Sequence, residues 1–156
     1  MASGSAGPGW QARHGVAAAN YQNVFDTLKN RGLHFVRVNG CATPAGTAFA
    51  CIWEDGPVPA WVAHHGLDGV AYEAEFTRLA ELGYWLIDVS GYAENGQARY
   101  AGVWQQTGGP AWQARHGLDG KAYYAAFHTS MAQGFVLARF SVCEVSGSLL
   151  YAAIWV

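Results

Sequence analysis

Charge is scarce in this chain. Only 13% of its 156 residues are Asp, Glu, Lys or Arg, and the formal net charge is −2. So neutral a chain carries no electrostatic footprint for nucleic acid or an anionic membrane surface. No apolar run approaches the roughly 18 residues needed to span a bilayer, so membrane insertion is not expected. Cysteine is sparse and odd in number, three in all, which excludes a disulfide framework. Cys51 shares its place in the repeat described below with Gly102 and Ala153, and Cys41 and Cys143 share theirs with Tyr92. Buried free thiols serving as small hydrophobes are the expectation. Catalytic signatures are missing as well: there is no G-x-S-x-G, no phosphate loop, no C-x-x-C and no H-E-x-x-H. Ser90 and Ser141 match Asn39, so neither is an obligatory nucleophile. Neither a cofactor nor an enzymatic activity is expected. Residues 1–7 lack a basic region followed by an apolar stretch and read as a flexible lead-in rather than a secretion signal. The expected location is cytoplasmic, or secreted as a mature form.

What the chain has in quantity is apolar: 51% hydrophobic and 14% aromatic residues. They are arranged as a repeat. The phrase WQARHG at 10–15 returns as WVAHHG at 61–66 and WQARHG at 112–117, each copy displaced by 51 residues with no insertion. Tyr21, Tyr72 and Tyr123 obey the same shift, as do Phe25, Phe76 and Phe127, and Trp53, Trp104 and Trp155. A fixed period of this length signals a repeat architecture. The units expected are 8–58, 59–109 and 110–156, within one domain over 8–156.

Each unit reads as a loop, a helix and a β-hairpin. In the second unit Asp68 is placed to cap a helix, because its carboxylate can accept the free N–H groups of the first turn. Leu67 and Tyr72 have the spacing of a hydrophobic staple. Tyr72, Phe76, Leu79 and Ala80 form one apolar stripe, and Gly83 supplies the left-handed residue that ends the helix. The third unit repeats the cap with Asp119. The first has Ala17 there, which weakens that helix start by about 1 kcal/mol. Residues 84–92 and 99–104 read as strands joined by the Asn95-Gly96 turn. One helix and one hairpin are marginal alone, so the copies must pack on one another. The apolar end at Ile154-Trp155-Val156 is no solvated cap. The fold class expected is therefore α+β, three helix-plus-hairpin repeats closed into one compact pseudo-threefold domain. The alternative is an open three-unit array.

The combination W-x-x-x-H-G-L, Y-x-x-x-F, a glycine and a hairpin closing on Y-A-x-I-W resembles the bacterial tandem repeat domain family. Such repeats also occur in the amino-terminal region of fungal polyglycine hydrolases. Trp61, His65, Gly66, Tyr72, Phe76, Gly83, Tyr100 and Trp104, with their counterparts, carry the likeness over nearly the whole chain. In those hydrolases the chemistry belongs to a separate β-lactamase-like domain, and no S-x-x-K motif occurs here. The resemblance thus implies an accessory or binding role.

Three sets of polar residues recur where a site could form. His14, His65 and His116 share one position. Three imidazoles on a common axis would suit zinc, but no shared carboxylate supports them, so no metal is expected. Each is read instead as fixing the Trp loop to its own helix start. Arg37, Asp88 and Arg139 form a second set, on the same strand face as Phe35, Leu86 and Leu137 by simple alternation, with the carboxylate set between two guanidinium groups. The third set pairs an aromatic plate with a polar donor: Trp10 with Arg13, Trp61 with His64, and Trp112 with Arg115. Stacking beside a hydrogen-bond donor suits a sugar, and three weak sites multiply avidity. The leading expectation is thus a multivalent, lectin-like module for glycans or glycoproteins. Its ligand-binding residues would be Trp10, Arg13, His14, Trp61, His64, His65, Trp112, Arg115 and His116. The alternative is a structural or protein-interaction repeat module with no small-molecule ligand.

Overall fold

The computed structural model describes residues 9–156; the expected lead-in and Pro8 lie outside them. Each unit runs strand, helix, strand, strand. The first holds β1 (Trp10–Ala17), α1 (Ala18–Asn30), β2 (His34–Thr43) and β3 (Gly46–Glu54). The second holds β4 (Trp61–Leu67), α2 (Gly69–Glu81), β5 (Trp85–Glu94) and β6 (Gln97–Gln105). The third holds β7 (Gln113–Leu118), α3 (Gly120–Ala132), β8 (Leu137–Val145) and β9 (Ser148–Trp155). Each unit forms its own antiparallel sheet with the last strand in the centre, in the orders β1-β3-β2, β4-β6-β5 and β7-β9-β8.

Helix starts and stops follow the side chains that announce them. Asp68 and Asp119 accept from the N–H groups of Ala71 and Ala122 at 2.8 and 2.7 Å, whereas Ala17 makes no side-chain cap. Gly83 ends α2 with φ at +81°, where a side chain would be strained. Asn95 and Gly96 both have positive φ, as a two-residue hairpin turn of the primed type requires.

The tryptophan phrase is a strand, not the expected loop. It pairs with the central strand of its own sheet, but the register jumps between Arg13 and Val16, and likewise between His64 and Leu67 and between Arg115 and Leu118. Gly66 lies inside the second of these bulges with φ at +71°. A bulge this close to the middle of a short strand erases the alternation by which a strand is recognised.

A second bulge corrects another expectation. Leu86 pairs with Trp104 and Asp88 with Val103, so Ile87 is the extra residue; Val36 and Ala138 are extra in the same way. Adjacent partners on a strand lie on opposite faces, so Asp88 is on the other side of the sheet from Leu86. The face before the bulge looks at the helix, where Phe35 packs 4.5 Å from Trp53 and 5.5 Å from Phe25. The face after it looks at a neighbouring unit.

That division organises the core. Tyr72, Leu79, Leu86 and Trp104 are buried between α2 and its sheet, and Trp53, Trp104 and Trp155 are all at most 1% exposed. Each such ring stabilises by about 2 to 3 kcal/mol. Neither of the two clusters is complete within one unit. The first draws Tyr92, Ala101 and Val103 from the second unit, and the second draws Ala152 and Ile154 from the third.

The three helix-and-hairpin repeats and the α+β class are as the sequence predicts, while the expected closure is incomplete. Residues of all three units gather round one cleft of about 500 Å³ that includes Arg37, Trp85 and Arg139. Among the described residues the seam between neighbours nevertheless forms twice, first to second and second to third. Trp10 is 68% exposed, whereas its counterparts Trp61 and Trp112 are packed against the unit before them.

Candidate functional site

The repeated aromatic and imidazole side chains converge on the seams. Trp61 packs edge-on against Phe25 and Trp53 of the first unit, at 5.9 and 6.3 Å between ring centres, with the Lys29 ammonium 5.5 Å above it. Trp112 packs on Phe76 and Trp85 of the second unit at 5.4 and 5.8 Å. These are edge-to-face and tilted contacts of the kind aromatic quadrupoles favour.

The histidines point the same way. His65 lies 4.2 Å from the Tyr21 ring and 6.0 Å from Phe49, and burial lowers its pKa. His116 sits between Tyr72 and Tyr100, at 4.7 and 5.0 Å. Its Nε2 is 3.3 Å from the carbonyl oxygen of Gly69 and its Nδ1 is 3.5 Å from Glu73. So each of these two fastens its strand to the preceding unit, not to its own helix start. His14 is exposed. The three imidazoles therefore occupy separate places, and no group of three metal-ligating side chains forms among the described residues.

Donors placed beside the tryptophans are engaged unevenly. His64 Nε2 lies 2.9 Å from Glu75, whose carboxylate also accepts from Arg78 and is held below its ordinary pKa chiefly by that bond. Arg13 is exposed and donates to Gln11 at 2.7 Å. Arg115 is exposed at the rim of a narrow groove with Glu73 and Phe76. Three equivalent sugar surfaces are thus not what the arrangement offers. Among the described residues, only the first unit presents its tryptophan, its arginine and its histidine to solvent together.

Facing the cleft, β2 offers backbone N–H groups to the second unit. The N–H of Val38 donates to Asp88 Oδ2 at 2.8 Å, and that of Gly40 donates to Ser90 Oγ at 2.9 Å. At the next seam Gly91 N–H donates to Ser141 Oγ at 3.0 Å. Such bonds satisfy edge groups that would otherwise be buried without partners. Ser90 and Ser141, the counterparts of Asn39, thus each accept from a strand of the unit before. Arg37 and Arg139 do not grip Asp88. Each donates to the carbonyl of its own bulge residue, Val36 at 2.8 Å and Ala138 at 2.6 Å. Burial pushes the Asp88 carboxyl up from 3.8 to about 6, against the opposing pull of the Val38 N–H and the two guanidinium charges.

Two phenols complete the seams, a role that no local pattern marks. Gly66 N–H donates to the Tyr92 hydroxyl at 2.8 Å, and Gly117 N–H to that of Tyr100. The cysteines divide according to the same geometry, correcting the expectation that all are buried. Cys51 is buried, Cys143 is half-buried in the second seam, and Cys41 is exposed. No helix among the described residues is long and apolar enough to cross a membrane.

A known repeat matches the chain three times, over residues 7–56, 58–107 and 109–156, and its description is polyglycine hydrolase-like, structural repeat. The matches start one residue before the units set by the tryptophan phrase. The chain belongs to this family.

Proposed function

We propose that this member of the polyglycine hydrolase-like structural repeat family is a structural, protein-interaction module and not an enzyme. One observation carries the reading: in the second and third units the repeated Trp and His side chains pack on the unit before. Residues that recur because they build a seam need no ligand to account for them. The test uses two substitutions of different kinds. His116→Ala should lower the melting temperature, because it empties a slot between two tyrosine rings. Replacing Arg13, His64 and Arg115 together by alanine should leave melting and partner binding nearly unchanged.

A glycan-binding reading keeps one specific support, the exposed Trp10 beside exposed Arg13. Under it the site is single rather than threefold, so avidity requires several copies of the protein. A glycan array on the pure protein separates the two readings. Binding lost in the triple alanine variant would favour the lectin-like module and count against the structural one.

A further inference from the structure

The seam has a receiving side and an entering side, and among the described residues the first unit leaves its entering side exposed and the third unit leaves its receiving side open. The receiving side is the groove between a helix and its hairpin: Tyr21, Phe25 and Phe49 in the first unit, Tyr72, Phe76 and Tyr100 in the second. In the third unit Tyr123, Phe127 and Tyr151 line the same groove, and no strand among the described residues enters it. It is an open cavity of about 360 Å³, bordered also by Tyr124 and His128. The Tyr123 and Tyr151 rings lie 4.7 Å apart at 19°, much as their counterparts Tyr21 and Phe49 do at 4.4 Å and Tyr72 and Tyr100 at 5.2 Å, so the floor of the groove is already formed. The entering side is the bulged strand bearing Trp, His and Gly. In the first unit Trp10, His14 and Gly15 are all exposed.

We infer that the third unit of one copy receives the β1 strand of a second copy, repeating between molecules the seam already formed twice within one. This rests on the reading of the Trp–His phrase as seam-building, and adds the partner. Three further observations support a second copy as the occupant.

First, the face around the empty groove is less polar than its covered counterparts. Met131 stands where Lys29 and Ala80 stand, Val136 replaces His34 and Trp85, and Tyr124 replaces Gln22 and Glu73. Seven of the eleven exposed large hydrophobic residues belong to the third unit: Tyr124, Met131, Val136, Phe140, Val142, Leu149 and Val156. Exposed apolar side chains gathered on one unit mark a surface suited to a partner.

Second, the hydroxyl bookkeeping of the seam closes. The second seam works with Tyr100 on the receiving side and Cys143 on the entering side. Between copies the pair would be Tyr151 and Cys41, the same combination, leaving the Tyr151 hydroxyl to accept from Gly15 N–H. Third, the fit is complementary in volume. Gly40 faces Tyr92, and a Cβ there would lie 2.7 Å from its ring; Gly91 faces Cys143, and a Cβ there would meet Sγ at 3.4 Å. The third unit has Val142 at this position, and the entering copy would set the small Cys41 opposite it.

A head-to-tail contact is heterologous, so it generates a ring or a filament according to the rotation between copies. The experiment is sedimentation velocity on the full chain over a wide concentration range, with two end-blocked variants. Trp10→Glu removes the entering side and Val136→Glu the receiving side, at residues 68% and 63% exposed, so both variants should fold. His14→Glu serves as a second block of the entering side. The parent should associate with rising concentration, and each variant should associate at least about tenfold more weakly, as expected for a central tryptophan contact. An equimolar mixture of the two variants should form a dimer and nothing larger, because each retains one good end. A parent that stays monomeric throughout overturns the inference. So does association that survives Trp10→Glu and His14→Glu, which would mean that the apolar face pairs with itself or with another surface. The reading beneath is judged independently by the melting temperature of His116→Ala, which falls whatever the state of association.

Discussion

The two seams accomplish the same join with different side chains. In the first, the entering unit brings its own phenol: Tyr92 accepts from Gly66 N–H while its ring packs edge-on against Phe49 at 5.1 Å. In the second, the receiving unit supplies it: Tyr100 accepts from Gly117 N–H, and Cys143 occupies the place of the missing tyrosine. What repeats is a phenol oxygen at one point in space, delivered from either side. The partner residue then shrinks or grows to keep the volume filled, as close packing requires. Comparing copies position by position therefore understates how alike the seams are.

The sharpest way to break the comparison is at the glycine opposite that position. Gly40→Ala should cost about 2 to 3 kcal/mol by overpacking, because the added methyl would overlap the Tyr92 ring. Gly91→Ala, the same change at the same repeat position, should cost under about 1 kcal/mol, because it meets Cys143 at ordinary contact distance. Denaturant midpoints of the two variants decide the matter, and equal losses would show that the seams are not packed as described.

Asp88 gives the next largest effect, and it belongs to the first seam alone, since the second has Arg139 in its place. Its folded-state pKa of about 6 lies above the ordinary 3.8, so folding favours the protonated form. Stability from this group is fully present below about pH 4, falls as pH rises through about 6 and is flat above, by up to about 3 kcal/mol in all. Asp88→Asn keeps an oxygen for Val38 N–H and should flatten that slope. His65 acts oppositely. Burial lowers its pKa, so its contribution is present above the ordinary 6.5 and is lost as pH falls. Because that contribution is common to parent and variant, the difference between their pH–stability curves isolates Asp88.

Smallest is the hydroxyl itself. Tyr92→Phe and Tyr100→Phe each leave one bulge N–H without its acceptor, at about 1 kcal/mol apiece. The two bonds lie in separate seams, so the double variant should lose the sum of the two. A double-mutant cycle in chemical denaturation checks this, and strong coupling would mean that the seams do not act as independent joints.

These contrasts mark where the sequence was readable. Asp68 and Asp119 announced their helices, Gly83 the helix end, and Asn95-Gly96 the hairpin, because each is a local backbone requirement met by a local side chain. The tryptophan phrase was misread as a loop because its bulge destroys the alternation that marks a strand. The face of Asp88 was misassigned because a period of two cannot register the extra residue at Ile87. His65 and His116 were expected to serve their own helices. Their actual partners, Tyr21 and Tyr72, lie about one repeat earlier in the chain, a tertiary fact with no local signature. The expected ligand residues were a recurring set, but recurrence alone cannot tell a binding surface from a joint.

The single extra residue at Val36, Ile87 and Ala138 acts as a phase shift in the middle of a strand. Upstream of it, alternate side chains answer to the helix; downstream, they answer to another unit. Deleting Ile87 would leave every later amino acid of β5 chemically intact yet turn Asp88, Ser90 and Tyr92 to the wrong side together. Substitutions along this strand should therefore act one at a time, whereas a one-residue deletion should silence a whole face. A deletion scan through 84–92 would show a polarity that no substitution scan can, with the harm confined to the joint when the lost residue precedes Asp88.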